Sequence, residues 1–179
     1  VQKAQEQLEE QHYQDLRERR NWSKETVEDL RIGWMDEELF NSMKQEYGEK
    51  LGEAGIHYGM TGQGDGTYLI PHLERNNQPY LITCRDPNAE EEHEKYQQAK
   101  SSGNEFVEND IYKLLRNNSD TLILTEGYPD AISAYEAKYD TVAAACGSFE
   151  GHLNELKGIA KNYKQVLIVT DNDDTGREN

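Results

Sequence analysis

Three acidic side chains follow apolar segments in the last third of the chain. Glu126 comes directly after the largely apolar run 122–125. Asp171 comes directly after the largely apolar run 166–170, and Asp173 follows two residues later. Because side chains alternate along extended backbone, Asp171 and Asp173 can point to the same side. Converging carboxylates repel one another, and a divalent cation with oxygen ligands, Mg²⁺ above all, relieves that repulsion. The three acids therefore predict a metal site that stabilises charge on a phosphoryl group during its transfer or hydrolysis.

The segments around these acids predict one α/β unit. Near-continuous apolar runs are typical of strands buried on both faces of a parallel sheet, and ligands gather outside the carboxyl ends of such strands. Gly127 allows a sharp turn after the first strand, and Pro129 and Asp130 suit the start of a helix. The unit is expected to cover residues 118–179, with a middle strand over 141–146 and a second helix over 153–160.

Residues 1–117 predict a mostly helical part with a small sheet, so the fold class is α+β followed by α/β. Helices are predicted over 1–20, 23–32, 37–47 and 49–54, in part over 91–100 and again over 111–115, and strands over 68–71 and 79–84. The glycine-rich stretch 58–66 lacks the Gly-Lys-Ser/Thr ending of a phosphate-binding P-loop, so it is predicted to be an ordinary loop. The turn at 117–120 is the expected boundary between the two parts.

The composition restricts the class of protein. The chain has 35 acidic and 19 basic residues and a formal net charge of −16. This balance argues against binding nucleic acid through overall charge, and it fits either a halophilic source or basic groups gathered in one groove. No apolar run approaches membrane-spanning length and no secretory signal is visible. Cys84 and Cys146 do not form a metal-binding pattern, so we expect two reduced thiols in a cytoplasmic protein that contacts no membrane.

Other interpretations of the acidic segments stay open. Asp171, Asp173 and Thr175 after an apolar strand also match the nucleophile motif of haloacid-dehalogenase-like phosphatases, although that motif opens its domain. Asp171, Asp173 and Gly176 are similar to the start of an EF-hand loop, but no predicted helix precedes them. The acids could also be solvated loop residues of a generic doubly wound domain. The position of both acidic segments at one sheet edge disfavours that interpretation.

The acidic segments resemble the Toprim signature, a Glu motif followed by Asp-x-Asp. Residues 125–133 and 171–177 are most similar to the primase branch of the Toprim proteins, and residues 22–34 resemble the helical opening of the primase catalytic domain. Residues 68–85 resemble its strand pair that ends in a basic residue, and Lys95 and Ile111 begin two further short similar stretches. The resemblance covers roughly residues 12–179 and identifies the chain as similar to a bacterial-type primase catalytic core.

The resemblance implies an enzyme that synthesises RNA primers from NTPs on a single-stranded DNA template with Mg²⁺ or Mn²⁺. Glu126, Asp171 and Asp173 would hold the metal, and Asp130 would support them. Arg85 and Lys95 would contact phosphates of the template or of the incoming nucleotide. A replicative helicase is a further partner that the resemblance suggests.

Several features depart from the family pattern. The primase family has basic residues just before the first strand of the pair, where this chain has Gly-Asp-Gly at 64–66. The family also has a Lys after an aromatic residue, where this chain has Val-Glu at 107–108. The chain ends before the last Toprim helix and strand, which bring further metal-binding acids, so we expect a truncated core of plasmid, viral or archaeal origin whose activity depends on them. Two alternatives therefore stay open: a Toprim nuclease that attacks with water, and a non-catalytic module that binds nucleic acid or the replisome.

Overall fold

The computed structural model describes seven stretches of the chain, which divide between two compact units. The described stretches are 1–61, 65–73, 78–89, 96–98, 111–116, 119–144 and 149–170. The N-terminal unit comprises residues 1–18 and 23–105, and the C-terminal unit comprises residues 19–22 and 106–179. Within the described stretches, no helix is long and apolar enough to cross a membrane.

The described residues form α-helices, short 3₁₀ turns and short strands. The α-helices are α1 (Gln2–Glu6), α2 (Glu10–Arg20), α3 (Lys24–Asp29), α4 (Glu37–Tyr47), α5 (Glu49–Glu53), α6 (Tyr128–Glu136) and α7 (Leu153–Ala160), with 3₁₀ turns at Tyr58–Thr61 and Glu150–His152. The strands are β1 (Gly33–Met35), β2 (Thr67–Leu73), β3 (Pro79–Arg85), β4 (Tyr96–Gln98), β5 (Ile111–Leu114), β6 (Thr121–Thr125), β7 (Asp140–Ala144) and β8 (Gln165–Val169).

The N-terminal unit contains an antiparallel sheet in the order β1-β2-β3-β4. Its apolar core combines this sheet with α1, α4 and α5. The buried members of that core are Ala4, Met35, Leu39, Phe40, Met43, Leu51, Met60, Leu69 and Cys84. The predicted strands at 68–71 and 79–84 are confirmed and slightly longer, and the buried Cys84 is a free thiol, as expected.

Helix α4 has the predicted bounds. Asp36 caps its first turn, because the Asp36 carboxylate accepts a hydrogen bond from the backbone N–H of Leu39 at 2.7 Å. Leu39, Phe40 and Met43 recur at helical spacing and are buried, so one face of the helix joins the core. Gly48 then has φ +56°, which ends the helix.

Helix α3 ends earlier than predicted. Ser23 caps it by accepting a hydrogen bond from the Thr26 N–H at 3.2 Å, but the helix stops at Asp29 rather than at Ile32. Arg31 adopts φ +55°, and Gly33 opens β1 instead of ending the helix. A Cβ atom added at Gly33 would lie 2.6 Å from the backbone carbon of Ala4. Glycine is therefore required here by the close approach of α1 to β1.

The C-terminal unit contains a mixed sheet in the order β5-β7-β6-β8. Strand β6 pairs in parallel with both β7 and β8, which confirms the predicted parallel sheet. Strand β5 pairs antiparallel with β7, opposite Thr141 to Ala144. The helix predicted over 111–115 is therefore wrong, because four residues give too little length for a stable helix and their backbone groups pair with β7 instead. The helix predicted in part over 91–100 is wrong at Tyr96–Gln98, and its other residues lie outside the described stretches.

Strand β8 lies at the edge of this sheet. All five of its residues are exposed, with Ile168 exposed to 69%. The sequence predicts burial on both faces for this apolar run, and that prediction is wrong, because burial depends on what packs against the faces of a strand, which its own sequence does not indicate. Strand β7, by contrast, is buried along its whole length.

Candidate active site

Glu126 occupies the short connection between the central strand of the C-terminal sheet and the helix that follows. Strand β6 ends at Thr125 and α6 begins at Tyr128, so Glu126 and Gly127 alone join them. Both residues of this connection are half-buried. The turn lies at the carboxyl end of β6, which is the edge of a parallel sheet where ligands bind.

Hydrogen bonds hold this turn on both sides of Glu126. The Thr125 hydroxyl donates to the Gly127 carbonyl oxygen at 3.0 Å, and the Ala131 backbone N–H donates to the same oxygen at 3.2 Å. Thr125 is buried, with 2% of its surface exposed, so its hydroxyl has little water to compete with this bond. The backbone of Glu126 is thus fixed between β6 and the first turn of α6.

Asp130 lies against the same turn. A Cβ atom added at Gly127 would be 3.4 Å from Asp130 Oδ2 and 3.3 Å from Pro129 Cδ, so the carboxylate packs close to the Gly127 backbone. Asp130 is exposed and stands in the first turn of α6, where a negative charge suits the helix dipole. Two carboxylates that solvent can reach around one turn are a donor set that fits a divalent cation with oxygen ligands.

The strand pairing indicates at which edge of the sheet the chain leaves β8. Strands β6 and β8 are parallel, with Thr125 opposite Val169. The chain therefore leaves β8 at the same edge at which Glu126 follows β6. Asp171 and Asp173 lie outside the described residues, so their approach to Glu126 stays a prediction. Within the described stretches, no group of three or more His, Cys, Asp or Glu side chains is arranged to hold a metal ion.

A tryptophan distant in sequence contacts the helix that follows the acidic turn. Trp22 Nε1–H donates to Ser133 Oγ at 3.0 Å, and Ser133 Oγ donates to the Pro129 carbonyl oxygen at 3.1 Å. On the other side of this region, the rings of Tyr112 and Tyr128 pack edge to face with centroids 6.0 Å apart. Tyr128 thereby connects the first turn of α6 to β5.

Arg85, one of the two predicted phosphate-binding residues, belongs to the N-terminal unit. Arg85 is the last residue of β3, stands opposite Tyr68 of β2 and is 8% exposed. It is therefore a buried residue rather than a surface one. The Tyr68 hydroxyl donates to Asp15 Oδ2 at 2.8 Å. Lys95 lies outside the described residues, and the roles of both basic residues stay predictions.

Comparison with known proteins assigns this architecture. Residues 123–179 match the Toprim-like family, and no curated protein matches the chain. A DnaG primase catalytic domain bound to single-stranded DNA is similar with a TM-score of 0.70 and 16% identity, over 99% of this chain and 60% of that one. The chain has the fold of a DnaG primase catalytic core.

Two further DnaG structures show the same likeness. The RNA polymerase domain of Mycobacterium tuberculosis DnaG, with double-stranded DNA that has a 6-nucleotide overhang, gives a TM-score of 0.69 at 17% identity, over 96% of this chain and 60% of that one. The Aquifex aeolicus primase gives 0.68 at 18% identity, over 95% of this chain and 45% of that one. The chain thus spans three-fifths or less of these DnaG chains.

The sequence predicts the acidic turn and the supporting role of Asp130, but it does not predict the contact between Trp22 and Ser133. Thr125 directly precedes Glu126 and Asp130 follows it by four residues, so the sequence itself indicates that both lie near the turn. Trp22 and Ser133 are 111 residues apart, and no spacing rule links them. The available signal is Trp22 itself, since an indole N–H usually has a hydrogen-bond partner when the ring is buried.

Proposed function

We propose that this protein is the catalytic core of a DNA primase, which synthesises RNA primers from NTPs on single-stranded DNA. The observation that carries the proposal is the parallel pairing of β6 and β8 with Thr125 opposite Val169. That register favours a site in which Glu126 and the acids after β8 leave the sheet at one edge. The shared DnaG fold and the Toprim-like match over 123–179 support the same conclusion.

The acidic residues of the proposed site either hold the metal ion or support the residues that hold it. Glu126, Asp171 and Asp173 would hold Mg²⁺ or Mn²⁺, with Asp130 supporting them. Such a bound ion supplies stabilisation of negative charge on a phosphoryl group during nucleotidyl transfer. The protein's own contribution is to fix the carboxylates before substrate arrives, because pre-set charges need no reorganisation during reaction.

The proposed partners follow from charge and from the relatives. The net charge of −16 disfavours binding of DNA over the whole surface, so Arg85 and Lys95 are proposed as local phosphate contacts. One DnaG relative is bound to single-stranded DNA, which supports a single-stranded template here. A replicative helicase is a further proposed partner. We also propose that the functional boundary between the helical part and the Toprim part lies at residues 117–118.

One assay separates the candidate functions. The full-length protein is incubated with single-stranded DNA, labelled NTPs and either Mg²⁺ or Mn²⁺. Short RNA products that require both template and metal are the expected result. Shortened DNA without RNA products would instead show a Toprim nuclease. Binding of DNA with neither product would leave a non-catalytic binding module, and either of these results would overturn the primase proposal.

A further inference from the structure

Trp22 belongs to the same compact unit as the acidic turn, although the residues on both sides of its short segment belong to the other unit. Residues 19–22 group with residues 106–179, whereas residues 1–18 and 23–105 form the N-terminal unit. Trp22 is 1% exposed. The indole ring is buried, and its N–H reaches Ser133 on α6, in the unit that contains Glu126, at 3.0 Å.

The chemistry of the two partners fixes the direction of this contact. An indole Nε1–H can only donate, and a serine hydroxyl has one proton to donate and lone pairs to accept with. Since Ser133 accepts from Trp22, its single proton is available for the Pro129 carbonyl oxygen, which lies 3.1 Å away. The chain of bonds therefore runs one way, from Trp22 through Ser133 to the backbone of the first turn of α6.

The end of this chain of bonds lies beside the acids. Pro129 immediately precedes Asp130, whose carboxylate packs near Gly127, the residue directly after Glu126. A shift of the Pro129 carbonyl would move Asp130 and the α6 end of the turn that carries Glu126. The Thr125–Gly127 hydrogen bond holds the β6 end of the same turn.

We propose that Trp22 and Ser133 are positioning residues for the acidic turn at Glu126 and Asp130. This inference rests on the proposed function, in which that turn helps to hold a divalent cation. Neither residue contacts the cation, and each acts by fixing the first turn of α6. Replacing a residue that orients a metal ligand without contacting the metal lowers metal affinity or activity by about 10- to 100-fold.

Three variants test this role in the full-length protein, with a fourth as a control. Trp22→Phe removes the N–H donor and keeps an aromatic ring, and Ser133→Ala removes the hydroxyl. Ser133→Thr keeps a hydroxyl at the same position. Ser42→Ala is the matched control, because Ser42 is also exposed on an α-helix but lies on α4 in the N-terminal unit.

The first measurement is Mn²⁺ affinity, from the electron paramagnetic resonance signal of free Mn²⁺ during titration without nucleotide. We expect Trp22→Phe and Ser133→Ala each to raise the Mn²⁺ dissociation constant by about 10-fold. Ser133→Thr and Ser42→Ala should stay near the wild-type value. The double variant with both Trp22→Phe and Ser133→Ala should be no worse than either single variant, because both remove the same chain of bonds.

The second measurement is primer synthesis at varied Mn²⁺ concentration. Both weakened variants should need more Mn²⁺ for half-maximal rate, whereas simple loss of folded protein would lower the rate at every concentration. Folded variants with wild-type Mn²⁺ affinity would overturn the positioning role and leave the primase proposal standing. A wild-type protein that binds Mn²⁺ but makes no primers would overturn the primase proposal and leave the positioning test intact. A wild-type protein that binds no Mn²⁺ would overturn both.

Discussion

The hydroxyl of Thr125 donates a hydrogen bond to the carbonyl oxygen of Gly127 at 3.0 Å and so bridges the residue between them, Glu126. The bond closes the turn from the β6 side, and the Ala131 N–H closes it from the α6 side. A carboxylate on a turn fixed in this way has little backbone freedom. Such fixed placement is what a metal ligand requires, since misplacement by about 1 Å can lower a rate about 100-fold.

Replacing Glu126 by Gln should lower primer synthesis by at least about 10-fold, and as far as about 100-fold, which corresponds to roughly 1.4–3 kcal/mol in the activation free energy. The substitution keeps size and hydrogen bonding but removes one charge. Folding should be unchanged or slightly improved, because carboxylate repulsion in the metal-free protein decreases. Synthesis rate and urea unfolding are measured on the same full-length preparations. Full synthesis by the Gln variant would show that Glu126 is not catalytic.

Replacing Lys95 by Ala should act on substrate binding rather than on the reaction step. If Lys95 contacts one phosphate, its loss should weaken binding of single-stranded DNA and reduce the salt dependence of binding by about one phosphate contact. Binding constants at several salt concentrations measure this slope. An unchanged slope would remove Lys95 from the proposed phosphate contacts.

Acid should destabilise the N-terminal unit through His72. Burial lowers the pKa of His72 to about 3, and its Nε2 lies 3.0 Å from the Thr83 hydroxyl. The His72 imidazole binds a proton near pH 6.5 in the unfolded chain but only near pH 3 in the folded chain. The unfolding free energy therefore has its full value above pH 6.5 and falls as the pH decreases from 6.5 towards 3. The loss approaches about 1.4 kcal/mol per pH unit.

Urea unfolding between pH 7 and pH 4 measures this loss, with His72→Gln as the test variant and His57→Gln as an exposed control. The His72 variant should show a shallower decrease in unfolding free energy with acid than the wild type. The His57 variant should follow the wild type. Identical acid dependence in all three proteins would assign the acid sensitivity to other groups.

Replacing Gly33 by Ala should disrupt the packing of α1 on β1. The new Cβ would lie 2.6 Å from the Ala4 backbone carbon, a distance that only backbone movement can relieve. We expect a loss of about 1–3 kcal/mol in unfolding free energy. Gly52→Ala is the matched control, because nothing lies within 4 Å of the added Cβ, and it should be neutral or stabilising by about 0.5–1 kcal/mol. Equal stability of the two variants would contradict the close approach of α1.

Replacing Asp140 by Asn should destabilise the C-terminal unit more than replacing Tyr163 by Phe. The fully buried Asp140 carboxylate accepts from the Arg116 backbone N–H at 2.6 Å and from the Tyr163 hydroxyl at 2.8 Å. The Asn side chain has only one acceptor oxygen for the two donors, so we expect Asp140→Asn to lower the unfolding free energy by about 2–4 kcal/mol.

Tyr163→Phe removes one hydrogen bond to Asp140 and should lower the unfolding free energy by about 1–2 kcal/mol. Thermal or urea unfolding distinguishes the two values. An Asn variant as stable as the Phe variant would show that the second acceptor oxygen contributes nothing.

Local signals in the sequence predicted several elements correctly. Helix α4 was predicted at its observed bounds, because Leu39, Phe40 and Met43 recur at helical spacing and Gly48 follows. The parallel strands around Glu126 were predicted because long apolar runs with acidic turns are typical of such sheets. These features depend on residues close together in the sequence.

Features that depend on distant residues were predicted wrongly or missed. Ile111–Leu114 is a strand because β7 is available beside it, and nothing local indicates that neighbour. The exposure of β8 depends on what packs against its two faces, which its own residues do not specify. The Trp22–Ser133 bond joins residues that only the folded chain brings together. The approach of Asp171 and Asp173 to Glu126, and the roles of Arg85 and Lys95, stay predictions.

The chain has two tryptophans, and the fold assigns one to each unit. Trp22 belongs to the C-terminal unit and Trp34 to the N-terminal unit, with exposures of 1% and 8%. Indole fluorescence shifts to longer wavelength when water reaches the ring, so each unit has its own intrinsic optical reporter. A Trp34→Phe protein would have Trp22 as its single tryptophan, and its indole emission would follow the opening of the C-terminal unit separately from that of the N-terminal unit.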